Sequence, residues 1–304
     1  MPDESSKSFK NEKLVSVVIP CYKAEKYIET TVVSVLEQTY QNLEVIVVID
    51  GSPENEIEVL EGLSKRDLRL KVIEQKNLGV SQARNNGYKV TKGDYISFLD
   101  SDDVWLPSRL EKLINKFENG NFGLVQSDVE VIDQNGRRTG EIKHGKEGNV
   151  LEDLLLWNGD VINAPSSVLV KREALEEVGL FDHELSTAAD QELWFRIASK
   201  YEVGLVSEPL SYYRKHEENM SSNISLLEKD HLIAYKKAEK NGLFKSNSFK
   251  NQCFSNMTMI IAACWIGDGK DFAKGLKLLI KSILLYPPNS FKLMSIMKER
   301  LNRV

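Results

Sequence analysis

Cysteine is scarce in these 304 residues, and long apolar runs are missing. The three cysteines, Cys21, Cys253 and Cys264, are odd in number and follow no ligand spacing. They make neither a disulfide framework nor a zinc site, and they point to a reducing compartment, the cytoplasm. No window approaches 18 consecutive apolar residues, so no segment is expected to span a bilayer. The opening MPDESSKSFKNEK has no apolar core and does not read as a signal peptide. An excess of positive charge is missing as well: the formal net charge is −5, which gives no reason to expect a nucleic-acid partner. The balance is uneven, however. Residues 230–304 hold thirteen Lys or Arg against five Asp or Glu, a tail suited to acidic lipid head groups or to a solvated helical surface.

What is present is a regular alternation. LVSVVIP (14–20) is a short β-branched run of the kind buried in parallel sheets. Ile28, Val32, Val35 and Leu36 keep helical spacing within 24–39, and LEVIVVID (43–50) is a second strand. A helix carrying Ile57, Leu60 and Leu63, a strand at 69–74, a helix through GVSQARNNGYKV and a strand at 95–99 follow. Four strand–helix alternations predict an open, doubly wound, mainly parallel α/β sheet, with ligands beyond the carboxyl ends of its strands. Asp50 and Asp100 both lie at such ends, so one crevice is expected to hold both. After Pro107 come a helix, a strand with an Asn-Gly hairpin signal at 133–136, helices at 150–157 and 172–178, strands at 166–170 and 203–206, and a helix through DQELWFRIASK. From about 228 only helices are expected. The division is a polar tail (1–13), an α/β domain (14–225) and a helical C-terminal region (226–304).

YISFLDSDDVWLP (95–107) crowds Asp100, Asp102 and Asp103 at the end of an apolar strand. Like charges repel there, so either the turn faces water or something positive sits among the carboxylates. Three further stretches accompany it in order: VSVVIPCYKAEKYIETTVVSVLEQTYQNLEVIVVIDGS, NLGVSQARNNGYKVTKGDYISFLDSDDVWLP as the longer context, and GLFDHELSTAADQELWFRIA followed by LSYYRKHEENMS. Together, over about 14–223, they resemble the family 2 glycosyltransferases. The resemblance implies a GT-A fold (Rossmann-like) and inverting transfer from a nucleoside-diphosphate sugar, a UDP-sugar first, to a saccharide or lipid-linked saccharide.

On that resemblance Asp100-Ser101-Asp102 is the family's Asp-x-Asp element. Asp102 is then the direct ligand of Mn²⁺ or Mg²⁺, with Asp100 and Ser101 beside the donor. A hard cation prefers carboxylate and phosphate oxygen. Pro20, Tyr22 and Asp50 match the nucleoside pocket, and Arg84 matches the arginine that contacts base or phosphate. Asp190 matches the catalytic base, and His216 matches a histidine that can serve as a further metal ligand. Two positions depart from the pattern: Ile49 replaces the first of two aspartates before the pocket, and Ala189 replaces a Glu before the base. They keep open an inactive relative that binds nucleotide sugar without transferring it. A rival from another class reads DSDDV as a haloacid-dehalogenase-like phosphatase motif, with Asp100 as nucleophile, Asp102 as acid/base and IGDGKD (266–271) as its later acidic motif. By family analogy the setting is a surface polysaccharide or glycolipid. The helix DFAKGLKLLIKSILLYPP, with Lys270, Lys274, Lys277 and Lys281, suits a peripheral membrane contact, a homodimer or packing on the α/β domain.

Overall fold

The computed structural model describes residues 13–52, 54–216, 219–220 and 223–290; the tail before Lys13 and part of the expected linker at 219–223 lie outside the described residues. The first half is β1 (Val15–Cys21), α1 (Ile28–Leu36), β2 (Leu43–Asp50), α2 (Glu54–Ser64), β3 (Leu70–Gln75), α3 (Val80–Val90) and β4 (Tyr95–Phe98). These four strands pair in parallel in the order β3-β2-β1-β4. β1, β2 and β4 are buried along their whole length, as their apolar composition requires of strands covered on both faces.

The chain continues through β5 (Val104–Trp105), α4 (Arg109–Glu118), β6 (Phe122–Ile132), β7 (Arg138–Lys143), α5 (Leu151–Leu156), β8 (Val168–Lys171), α6 (Arg172–Val178), α7 (Ala189–Ala198) and β9 (Glu202–Arg214). The complete order is β3-β2-β1-β4-β8-β6-β9-β5, with β7 on β6 as the expected hairpin. β8 is antiparallel to both β4 and β6. β6 therefore runs in the direction of β4, and β9 is parallel to it. The carboxyl ends of β1, β2, β4, β6 and β9 open on one edge. Val18, Ile46, Phe98 and Leu124 build the core on one sheet face with α3 and α7. Val17, Val45, Leu99 and Leu110 build the other with α1 and α4.

Three details place the site. Pro20 sits in β1 opposite Val48 of β2, but pairing with β4 has ended at Val18. Alternation turns the side of Pro20 that lacks an N–H toward β4, so no ladder bond is lost. Gly87 lets α3 lie against the sheet: a Cβ there would stand 2.4 Å from Val18 Cγ1 and 2.9 Å from Val48 Cγ2. β9 is longer than the four residues expected. Its register against β6 shifts around Asp128, opposite Pro209, and the interruption at Ser207-Glu208-Pro209 hides one strand as two in the sequence.

α8 (Ile224–Lys240), α9 (Asn247–Gly267) and α10 (Phe272–Leu285) complete the described chain. α8 turns Asp230, His231, Ala234, Tyr235 and Ala238 inward, and Tyr235 donates to the Leu155 carbonyl at 2.8 Å. α9 and α10 form a hairpin in which Ser255 and Ser282 hydroxyls meet at 2.8 Å and Asn289 Nδ2 donates to Ser255 Oγ at 2.7 Å. Gly275 brings the two helices close: a Cβ there would lie 3.0 Å from the Ala262 carbonyl oxygen. The expected lysine stripe does not form one face. Lys274 turns in to Glu228 at 2.7 Å and over the Trp265 ring at 3.8 Å. The outward face shows Phe272, Leu276, Ile280 and Leu284, with Lys277 and Lys281 beside them.

Candidate active site

The cleft is assembled where β1, β2 and β4 end. Tyr22, just past β1, is 45% exposed, with the Lys23 ammonium 5.2 Å from its ring centre. An exposed ring at a strand exit offers a stacking face to a nucleobase. Asp50 at the end of β2 is buried. Its Oδ1 accepts from Gln75 Nε2 at 2.8 Å and from the Leu78 N–H at 2.7 Å, and its Oδ2 accepts from the Gly79 N–H at 2.9 Å. The carboxylate therefore holds the turn that leads into α3, a task its position in the sequence did not announce. Gly79 adopts φ +90° there, a conformation open to glycine.

α3 carries Arg84 beneath the cleft. Its Nη2 lies 2.6 Å from Asp100 Oδ1, its guanidinium stands 5.0 Å from the Phe181 ring, and its Nε is buried without a partner. The Asp100 N–H donates to Ser166 Oγ, and Ser101 offers its carbonyl to Thr31 Oγ1 at 2.9 Å. Asp102 Oδ2 meets His216 Nε2 at 2.8 Å. Burial and then the Asp100 charge push the Asp102 carboxyl above its ordinary range, and His216 pulls it back in part. Asp103 is fully buried and accepts the Arg214 N–H at 2.9 Å; burial and its acidic neighbours raise it well above the usual carboxylate range. Arg214 Nε donates to the Asp102 carbonyl at 2.8 Å, so the exit of β9 clamps the acidic turn through residues 112 positions away.

Asp190 lies in the first turn of α7, half-buried, with Oδ1 accepting from the Gln191 N–H at 2.8 Å. Burial raises its carboxyl; Arg84 lowers it, and Asp100 raises it in turn. Asp190, Arg84 and Asp100 are thus within one another's electrostatic reach, though they come from α7, α3 and the loop after β4. Glu192, two residues on, is buried and paired with Arg196 at 2.7 Å, which occupies it structurally. Trp194 and Phe195 pack into the core. Ile49 and Ala189 are both buried apolar positions.

The donor set suits a divalent cation. Asp102 and His216 are already in contact, Asp100 is near enough to act on Asp102, and His216 Nδ1 is buried without a partner. Carboxylate with imidazole fits Mn²⁺ well and Mg²⁺ through the oxygens. Among the described residues no group of three or more His, Cys, Asp or Glu side chains is placed to hold a metal ion by itself.

The family model for glycosyl transferase family 2 matches residues 16–179, more than half of the chain. The chain belongs to glycosyltransferase family 2. An uncharacterized glycosyltransferase of Rickettsia bellii is 32% identical over 220 residues, which cover 72% of this chain and 31% of that protein. The chain thus spans about a third of that relative's length. Among solved structures, Staphylococcus aureus TarS 1–349 in complex with UDP-GlcNAc has a TM-score of 0.60 at 18% identity, covering 90% of this chain and 92% of that one. A mannosyltransferase of Pyrobaculum calidifontis in complex with GDP-Man and Mn²⁺ has a TM-score of 0.62 at 17% identity, covering 96% and 81%. The chain has the GT-A fold that these structures share. The phosphatase reading fails: the family match spans its motif, and Asp100 follows the fourth strand, not the first, and is ion-paired to Arg84.

Proposed function

We propose that the protein is an inverting glycosyltransferase that moves a sugar from a nucleoside-diphosphate donor, a UDP-sugar first, to a hydroxyl of a saccharide or lipid-linked saccharide. The observation that carries this reading is the convergence of Asp190, Arg84 and Asp100 at one cleft. A partly accessible carboxyl whose pKa is raised by burial is a better proton acceptor than an ordinary surface aspartate. Asp190 takes the acceptor hydroxyl's proton as that oxygen bonds to the anomeric carbon. The bond from that carbon to the diphosphate oxygen breaks, and the nucleoside diphosphate leaves with the electron pair. Tyr22 stacks on the base, and Arg84 supplies positive charge beneath the donor while it aligns Asp100. A cation held by Asp102 and His216 would neutralise charge on the departing diphosphate.

Neither departure from the family pattern reaches the cleft chemistry: Ile49 and Ala189 pack inside the protein, which favours an active enzyme over an inactive binder. The setting is surface polysaccharide or glycolipid synthesis on the cytoplasmic side. The outward apolar face of α10, with Lys277 and Lys281, rests on an anionic membrane that carries the acceptor. Flotation with phosphatidylglycerol vesicles tests this: binding no stronger than to phosphatidylcholine rejects it. No described helix is long and apolar enough to cross a membrane.

Thermal unfolding with UDP, GDP, CDP, TDP and their sugars, with and without Mn²⁺, tests the donor assignment. A ligand at about 100 times its Kd adds about 2.7 kcal/mol, a rise of several degrees for a chain of this size. A rise with one nucleotide, enlarged by metal, is expected. No rise with any of them would refute the reading.

A further inference from the structure

We propose that Asp230, on α8, is a positioning residue for Asp190, so that the C-terminal helices complete the active site. The inference rests on the reading of Asp190 as the base. The family match ends at residue 179, yet the loop that delivers Asp190 lies just beyond it, at 181–188. That loop is held from two sides. On the α3 side, Ser81 Oγ donates to the Leu185 carbonyl at 2.5 Å, and Asn85 exchanges bonds with Phe181, Nδ2 donating to its carbonyl at 2.7 Å and Oδ1 accepting its N–H at 3.1 Å. α3 is also the helix of Arg84, so this contact ties the loop to the donor pocket.

On the opposite side a carboxylate from α8 grips the loop's backbone, whereas the loop's own Asp182 only closes a local turn by accepting the Glu184 N–H at 3.0 Å. Asp230 is fully buried, and its Oδ2 accepts the Ser186 N–H at 2.8 Å, the Thr187 N–H at 2.9 Å and the Thr187 hydroxyl at 3.2 Å. About two turns further along α8, Lys237 pairs with Asp182 and, at 3.1 Å, with Glu184. Thr187 is three residues from Asp190, and α7 begins at Ala189, with the Glu192 N–H donating to the Ala188 carbonyl. The direction in which Asp190 leaves the helix start is therefore set by where 186–188 are held. Charge does not explain the placement: the groups that act on Asp190 are Arg84 and Asp100. A carboxylate buried to the last atom, with all three bonds on one oxygen and Oδ1 unpartnered, is costly to keep. Its geometry serves the two loop amides, and those amides carry the base.

The single-oxygen grip makes a sharp test. Asp230→Asn can set its carbonyl oxygen in the place of Oδ2 and its amide where Oδ1 has no partner. Asp230→Ala removes the grip. Three quantities are measured on the full chain: hydrogen exchange of the 186–187 amides, the Kd for UDP or whichever nucleoside diphosphate binds, and turnover of the matching nucleotide sugar by slow donor hydrolysis. Asp230→Ala is expected to speed exchange at 186–187, leave nucleotide Kd within about twofold and lower kcat at least about tenfold with little change in KM. Asp230→Asn is expected to restore protection and most of kcat. Lys237→Ala, at a partly exposed site, is the second variant should Asp230→Ala fail to fold, with a smaller loss of kcat and unchanged nucleotide affinity.

Unchanged kcat in Asp230→Ala despite faster exchange would overturn the proposal, as would unchanged exchange. So would unaltered kcat in Lys237→Ala where Asp230→Ala does not fold. A wild-type protein that binds no nucleotide and turns over no donor defeats the glycosyl-transfer reading instead, and the exchange measurement then decides the grip by itself.

Discussion

Arg84 and Asp190 come from different helices, and the guanidinium that binds Asp100 at 2.6 Å also acts on the Asp190 carboxyl. One cation thus serves two acids: it is ion-paired with Asp100 and lowers the carboxyl of Asp190. Asp190 remains raised because burial outweighs that help.

Opposite pH shifts follow from removing the two partners. With Asp190 as the proposed base, transfer needs it ionised, and the acid limb of kcat/KM is expected above the ordinary carboxylate range. Arg84→Gln removes a lowering influence and moves that limb to higher pH. Asp100→Asn removes a raising influence and moves it to lower pH. A pH–rate series on the three proteins checks the signs, and a shift of both variants in one direction contradicts the arrangement.

Asp190→Asn is expected to bind nucleoside diphosphate within about twofold of wild type and to lose transfer by about 10²–10⁴-fold, the usual worth of a positioned base. It also has a stability signature. A carboxyl raised in the folded state contributes stability below its unfolded pKa and loses it as pH rises through the folded value. The Asn variant lacks that loss. Its advantage over wild type in Tm should therefore vanish below the ordinary aspartate value of 3.8 and grow as pH rises above it. Melting curves from pH 3 to 8 measure it.

Asp102→Ala and His216→Ala are expected to abolish the gain in nucleoside-diphosphate affinity on adding Mn²⁺, while affinity in chelator changes far less. Calorimetric titration with and without Mn²⁺ separates the two. An equal loss in chelator would show that these side chains contact the nucleotide, not a metal.

Gly87→Ala pushes a methyl group into Val18 and Val48, which lie in the sheet and cannot withdraw. Overpacking of this kind costs about 1–3 kcal/mol, read as a lower midpoint in urea. Because α3 carries Arg84, nucleotide affinity should fall as well.

Much of this was legible in the sequence where local pattern and final contact coincide. The β-branched runs at 14–20 and 43–50 could be buried only in a two-sided sheet, and Asp50 and Asp100 were bound to share an edge once both were placed at strand ends. Contacts between distant polar residues left no such trace. Ser166 meets the Asp100 N–H across 66 residues, and Arg214 clamps Asp102 across 112. Neither residue type has a periodicity that singles it out. Asp230 looked like any acid on an amphipathic helix; only the fold shows that it faces inward onto backbone amides. The lysine spacing in α10 misled because Lys274 finds Glu228 and Trp265 on α8 and α9.

The seam between α9 and α10 has a consequence for the surroundings the hairpin can tolerate. Ser255, Ser282 and Asn289 join the helices by hydroxyl and amide bonds, and Gly275 lets their backbones approach. Attraction of that kind does not depend on expelling water, and small-residue, hydroxyl-lined seams hold helices together even in hydrocarbon. The hairpin can therefore keep one shape as its outer surroundings change from aqueous to oily, where a seam built on apolar burial alone would loosen.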